Sequence, residues 1–159
     1  MVTTLPRALR VMAVGLTAAA LLAACGGGSD TAESVVASQS TTADGRVILL
    51  DAQELTVLDQ RVRCPKKQPA QISSSIITLE PGQETGWHRH GAPMYAYILE
   101  GTITVEYDAG VTKEYPAGTA LMEATGVFHN GTNKGEAPVR VLVVNMGAEG
   151  VKNTVERLP

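Results

Sequence analysis

The chain has only three histidines, and two of them are separated by a single residue. His88, Arg89 and His90 lie in a short extended stretch behind Gly82. Side chains alternate along a strand, so His88 and His90 share one face while Trp87 and Arg89 take the other. Two imidazoles side by side are spaced as two ligands of one metal need to be. His129 is 39 positions beyond His90 and can join the pair only through folding. Neutral imidazole suits Zn, Cu, Fe and Ni, and ligand type alone does not choose among them. Three protein ligands leave positions open for water, oxygen or a bidentate substrate. Iron(II) there would support oxygen activation, whereas zinc or manganese would polarise a carbonyl or activate water.

The elements that must carry these residues read as strands and turns. Residues 71–79 form a β-rich run closed by Glu80-Pro81-Gly82, and 94–99 form another closed by Glu100-Gly101. Thr102 to Tyr107 alternates polar and apolar residues as a half-buried strand does. Further strands are expected over 111–115, 119–123, 127–130 and 139–146, with turns at Asp108-Ala109-Gly110 and Pro116-Ala117-Gly118. No segment of this region sustains a 3.6-residue apolar period. Many short strands punctuated by Gly and Pro predict an all-β antiparallel sandwich or jelly-roll barrel.

Two spacings make the resemblance specific. Gly82 is followed after five residues by His88-Arg89-His90, and the stretch closes at Gly101. Gly118 is followed in register by Gly126, His129 and Asn133. These resemble the two signature motifs of the cupin family, and the likeness covers residues 54–148. It implies a single jelly-roll barrel, the double-stranded β-helix, over residues 45–159. It also implies one divalent transition metal (Fe, Mn, Zn, Ni or Cu) held by His88, His90 and His129. All three histidines fall on the family's ligand positions, as packing histidines scattered over unrelated strands would not.

The chain departs from the pattern twice. Ala124 replaces the proline of the second motif, which removes turn rigidity but no chemistry. The metal-binding glutamate of the first motif is missing, since its place falls on Met94 by one count and on Tyr95 by the other. Tyr95 and Glu123 are the candidates to complete the shell or act in catalysis. A hairpin loop at 124–127 would pair Glu123 with Phe128 and turn it away from His129. Without a carboxylate ligand, the metal's open face is expected to favour anionic or chelating ligands.

The resemblance implies a small-molecule metalloenzyme, an oxygenase by analogy with the three-histidine thiol dioxygenases of the superfamily. A non-catalytic binding module is the alternative, because fold does not fix function. A metal-free isomerase would instead need His129 and Tyr95 as an acid–base pair. Pairing of barrels through their sheets implies a homodimer. Trp87, Tyr95, Tyr97 and Phe128 could line a pocket mouth, although sheet packing accounts for strand aromatics equally well.

The first 24 residues read as a secretion leader, with Arg7 and Arg10 ahead of an apolar run from Val11 to Ala24. That run is too short for a membrane span, which needs about 20 residues. Leu22-Ala23-Ala24-Cys25 resembles the lipobox of bacterial lipoproteins, which makes Cys25 the lipidation site. Residues 25–44 are rich in Gly, Ser, Thr and Ala and read as a flexible tether. The expected location is the bacterial cell envelope, lipid-anchored, with the domain facing the periplasm or exterior. Removing Arg7 and Arg10 from the 13 basic residues leaves 11 against 16 acidic ones. No basic cluster stands out beyond Lys66-Lys67, so nucleic acid is an unsuitable partner. With Cys25 lipidated, Cys64 has no partner for a disulfide; burial as an apolar filler is the commoner fate of such a thiol. Changing Cys25 to Ala should move the protein out of the membrane fraction, and an unchanged distribution on cell fractionation would refute the anchor.

Overall fold

The structure is a computed structural model that describes residues 39–158. The leader over 1–24, Cys25 and most of the tether lie outside the described residues. A two-residue hairpin of β1 (Ser40–Thr41) with β2 (Val47–Ile48) spans the boundary drawn between tether and domain. The described residues contain no helix.

Two antiparallel sheets face one another. The first has the order β3-β10-β5-β8, from β3 (Ala70–Leu79), β10 (Val139–Ala148), β5 (Met94–Glu100) and β8 (Ala120–Met122). The second has the order β11-β4-β9-β6-β7, from β11 (Thr154–Glu156), β4 (His88–His90), β9 (His129–Thr132), β6 (Thr102–Tyr107) and β7 (Val111–Pro116). Alternate residues of both sheets point into the space between them. Met94, Ala96 and Ile98 of β5 are buried, while Tyr95 and Tyr97 are half-buried on the opposite face. Val139, Val141 and Val143 of β10 and Ile103 and Val105 of β6 complete the interior. The result is a jelly-roll, double-stranded β-helix barrel.

The expected strands are present with ends shifted by a few residues, as hydrogen bonding rather than composition sets their limits. β11 has no counterpart in the sequence expectation. Its three residues pair with β4, opposing Thr154 to His90, Val155 to Arg89 and Glu156 to His88. The hairpin expected at 124–127 does not form either. β8 belongs to the first sheet and β9 to the second, so these residues cross between sheets. Gly126 N donates to His90 O along the crossing.

Two anchors, one buried and one on the surface, hold this architecture. Asn133 is fully buried; its Nδ2 donates to Leu79 O and Ala137 O, each at 2.9 Å, and its Oδ1 accepts Gly135 N. Its place in the second motif is therefore structural. On the outer face, the Arg157 guanidinium lies 4.6 Å from the Phe128 ring centroid and 5.2 Å from that of Trp87, and pairs with Asp108 at 3.0 Å. Each cation–π contact of this kind contributes about 0.5–1 kcal/mol. Together they press the β11 end of the chain against β4. Trp87 and Phe128 thus serve the outer surface and are absent from the cavity wall. Cys64 is exposed in the strand-poor segment ahead of β3, contrary to its expected burial.

The turn after β5 needs a glycine for two reasons. Gly101 has φ +74°, and a Cβ there would come within 2.8 Å of both Pro138 O and Val139 Cγ2. Gly82 has a similar φ of +77° but open space around it. Chemical denaturation should therefore find Gly101→Ala destabilising by about 2–4 kcal/mol and Gly82→Ala by only about 1 kcal/mol. Equal losses would show that backbone conformation, not the contact with Pro138 and Val139, sets the requirement.

Candidate metal centre

The second sheet brings the three histidines together. His88 on β4 stands directly opposite His129 on β9, and His90 follows on the same face of β4. Their ring centroids are 4.5 to 5.1 Å apart, and their ligand nitrogens all lie within 4.8 Å of one another. Each imidazole is oriented by a main-chain carbonyl. The Nδ1 atoms of His88, His90 and His129 sit 2.8, 3.3 and 3.0 Å from the carbonyl oxygens of Gly86, Asn153 and Val127. A carbonyl only accepts, so Nδ1 carries the proton and the Nε2 lone pair is left free. The buried His90 Nε2 has no hydrogen-bond partner in the protein. Such an orphan is costly unless something binds it, and a metal ion would meet the need.

Burial keeps these rings neutral, the form a metal requires. Desolvation lowers the pKa of all three histidines and takes His90 down to about 3, helped by the neighbouring His129 and His88. The rings open onto a cavity of about 460 Å³ between the sheets, the size of a small-molecule site.

The position of the absent glutamate is resolved by strand alternation. Met94 is buried and faces the cavity, so it occupies that place. Tyr95 points to the other face of β5 and does not line the cavity, which removes it as a shell or acid–base candidate. The same geometry takes the metal-free pair of His129 and Tyr95 out of consideration. Glu123, expected to turn away from His129, lines the cavity instead. The expectation assumed a hairpin; the chain in fact changes sheets there, and Glu123 N donates to Met94 O across from β5. Tyr95 pairs with Met122, which makes Glu123 the cross-strand neighbour of Met94 on the inner face. The carboxyl missing from β5 is thus present one strand away.

Glu123 is fully buried and firmly held. Ala124 N donates to its Oε1 at 2.6 Å, and Tyr107 OH donates to the same oxygen at 2.9 Å. Tyr115 OH lies 3.1 Å from Tyr107 OH and extends the chain of hydroxyls. The Tyr107 ring also packs 5.6 Å from that of His129. Desolvation raises the Glu123 pKa to about 7 against these stabilising hydrogen bonds, and burial likewise raises both tyrosines. A buried carboxyl poised near neutrality can exchange a proton with a bound ligand. Neither tyrosine was singled out by sequence reasoning, because apolar alternation accounts for Tyr107 and Tyr115 without any partner.

Residues 75–145 match the family model described as a cupin domain. This stretch of the barrel is similar to a cupin domain. Similar solved structures include an uncharacterized conserved protein with a double-stranded β-helix domain from Klebsiella pneumoniae. It is 18% identical with a TM-score of 0.48, over 62% of this chain and 91% of that one. Oxalate decarboxylase from Bacillus subtilis is 22% identical with a TM-score of 0.47, over 55% of this chain and 25% of that one. A sugar phosphate isomerase of the cupin superfamily from Silicibacter pomeroyi is 25% identical with a TM-score of 0.43, over 48% of this chain and 50% of that one. This chain thus spans about a quarter of the decarboxylase chain. No curated protein matches it.

The buried carboxyl gives this barrel a pH signature. Glu123 has a folded pKa of about 7 against an ordinary value of 4.5. Folding therefore favours its protonated form, so its contribution is fully present below pH 4.5 and lost as pH rises through 7. The loss is about 3 kcal/mol. The depressed histidines act in the opposite sense, and apart from the influence of Glu123 on His88 they do so equally in wild type and Glu123→Gln. Between pH 4 and pH 8, metal-free wild type should lose about 3 kcal/mol relative to Glu123→Gln in urea unfolding. Parallel pH profiles would mean that Glu123 is solvated rather than buried.

Proposed function

We infer that this is a metal-binding cupin whose His88, His90 and His129 hold one divalent transition metal, and that it acts on a small molecule as an oxygenase-type metalloenzyme. The observation that carries the reading is the set of three Nδ1 atoms fixed by main-chain carbonyls, with the Nε2 atoms converging beside a cavity. That arrangement predefines tautomer and direction for all three ligands. When bound, the metal would supply Lewis acidity and, as iron(II), oxygen activation at its open positions. The chain's own part is to orient the imidazoles, exclude water with the aliphatic walls and keep an exchangeable proton on Glu123, held by Tyr107. A non-catalytic binding module with the same metal is the competing reading.

The cell-envelope location and the Cys25 anchor rest on the leader and lipobox alone. Association of two barrels is supported by β3, whose ten residues pair only with β10 among the described strands and expose Ile72 and Ile76. An open strand edge invites pairing with another strand.

Metal analysis of protein purified without chelator should find one transition metal per barrel. Each of His88→Ala, His90→Ala and His129→Ala should weaken metal binding by more than the roughly 10–100-fold that loss of an outer-shell partner costs, with the β-type circular dichroism unchanged. Full occupancy in the double variant His88→Ala, His90→Ala would overturn the ligand assignment. Oxygen consumption dependent on an added substrate separates the oxygenase from the binding module.

A further inference from the structure

We propose that the cavity takes an uncharged or cationic small molecule with an apolar body and a hydrogen-bond donor beside its metal-binding atom, and that it rejects dicarboxylates and phosphate esters. The proposal deepens the metal-centre reading above and rests on it. It also reverses the preference for anions expected from the loss of the glutamate.

No lysine or arginine among the described residues lines the cavity, but Glu84, Glu123 and Glu156 do. Three neutral imidazoles leave a divalent ion its full charge of two. Glu156, paired across from His88, and Glu84, which accepts from Asn130 Nδ2, set carboxyl groups at the exposed rim of the cavity. An arriving dianion must pass them with no lysine or arginine in the lining to offset the repulsion. Recognition of carboxylate or phosphate ordinarily relies on arginine or lysine donors, and the cavity provides none.

Hydrogen-bonding capacity points the same way. On the inner face of the first sheet, Met94 is flanked by Asn145 on β10 and by Glu123 just after β8. The buried Asn145 Oδ1 has no hydrogen-bond partner in the protein, and Glu123 is a carboxyl. Acceptors thus stand on both sides of Met94, opposite the histidines. A ligand donor, such as a ring N–H, a hydroxyl or an ammonium, satisfies Asn145 Oδ1, which an oxyanion leaves unpaired; Glu123 already accepts from Ala124 N and Tyr107 OH. Deeper in the cavity, Ile98, Ile103, Val105, Leu121, Val141 and Val143 form aliphatic walls. These walls suit an alkyl or aryl body and offer a sugar phosphate nothing to bond.

Two classes of probe test this with cobalt(II)-loaded protein whose stoichiometry is measured first. 4-Phenylimidazole has one nitrogen for the metal, an N–H for Asn145 or Glu123, and an apolar ring for the walls. It should shift the cobalt visible spectrum at a concentration at least tenfold below that needed for oxalate or inorganic phosphate. Asn145→Arg should invert the order by supplying the absent cation. Tighter binding of oxalate or phosphate by wild type overturns the proposal. If cobalt fails to load, the metal reading fails by itself. Calorimetry on the metal-free protein then still decides the ligand class, because the walls and acceptors are unchanged. There, 4-phenylimidazole must bind more tightly than oxalate, and no binding of it to either form also overturns the proposal.

Discussion

The site depends on β4 being paired on both sides. Three residues are too few to hold a strand by themselves, yet His88–His90 must be strictly extended for two imidazoles to share a face. β9 on one side brings His129 opposite His88, and β11 on the other supplies the ladder that keeps His90 inward. Asn153, just before β11, gives the carbonyl that orients His90, and it also accepts Gly91 N. The clamp of Arg157 over Trp87 and Phe128 then keeps β11 in place from outside. The C-terminal segment is therefore part of the metal centre without contributing a ligand. It can carry this load because β-sheet hydrogen bonding transmits register, and a one-residue slip would turn both histidines to solvent.

The legible part of the molecule was the part written in alternation and in glycine spacing. H-x-H implied a shared face on any strand, and the run from Thr102 to Tyr107 could bury only one side. What stayed hidden depended on which sheet a strand joins. Glu123 illustrates this. Within its own segment, a four-residue loop to Phe128 reads naturally as a hairpin, and the inference about its direction followed from that. The chain instead crosses to the other sheet, so the alternation of β8 and that of β9 are set by different partners. β11 was hidden for another reason: Thr154-Val155-Glu156 is short and polar, and only its pairing with β4 makes it a strand. Local pattern carries no record of such a partner. The aromatic residues were ambiguous in principle, since Trp87 and Phe128 fit either a pocket mouth or an outer face.

The relocation of the carboxyl from the Met94 position to Glu123 changes what the cavity can do. On β5 it would sit among the ligands and be held ionised by the metal. Just after β8 it is held by Tyr107 and Ala124 N and remains a separate group with its own proton equilibrium. A metal held by the three histidines would then have one protein ligand fewer, and the proton-exchanging group would remain a separate side chain of the cavity. Separating Lewis acidity from proton transfer in this way suits a reaction in which a ligand must both coordinate and lose or gain a proton. Met94 completes the arrangement by filling the vacated ligand place with a soft, flexible, apolar side chain. With Met94 in place, the floor between Asn145 and Glu123 is apolar, so each of those acceptors is desolvated and selective for a donor. A glutamate at the same point would set two carboxyls side by side in a buried row, and repulsion would force one of them to keep its proton. Having methionine there removes that conflict and leaves Glu123 as the one carboxyl of the Asn145–Met94–Glu123 row.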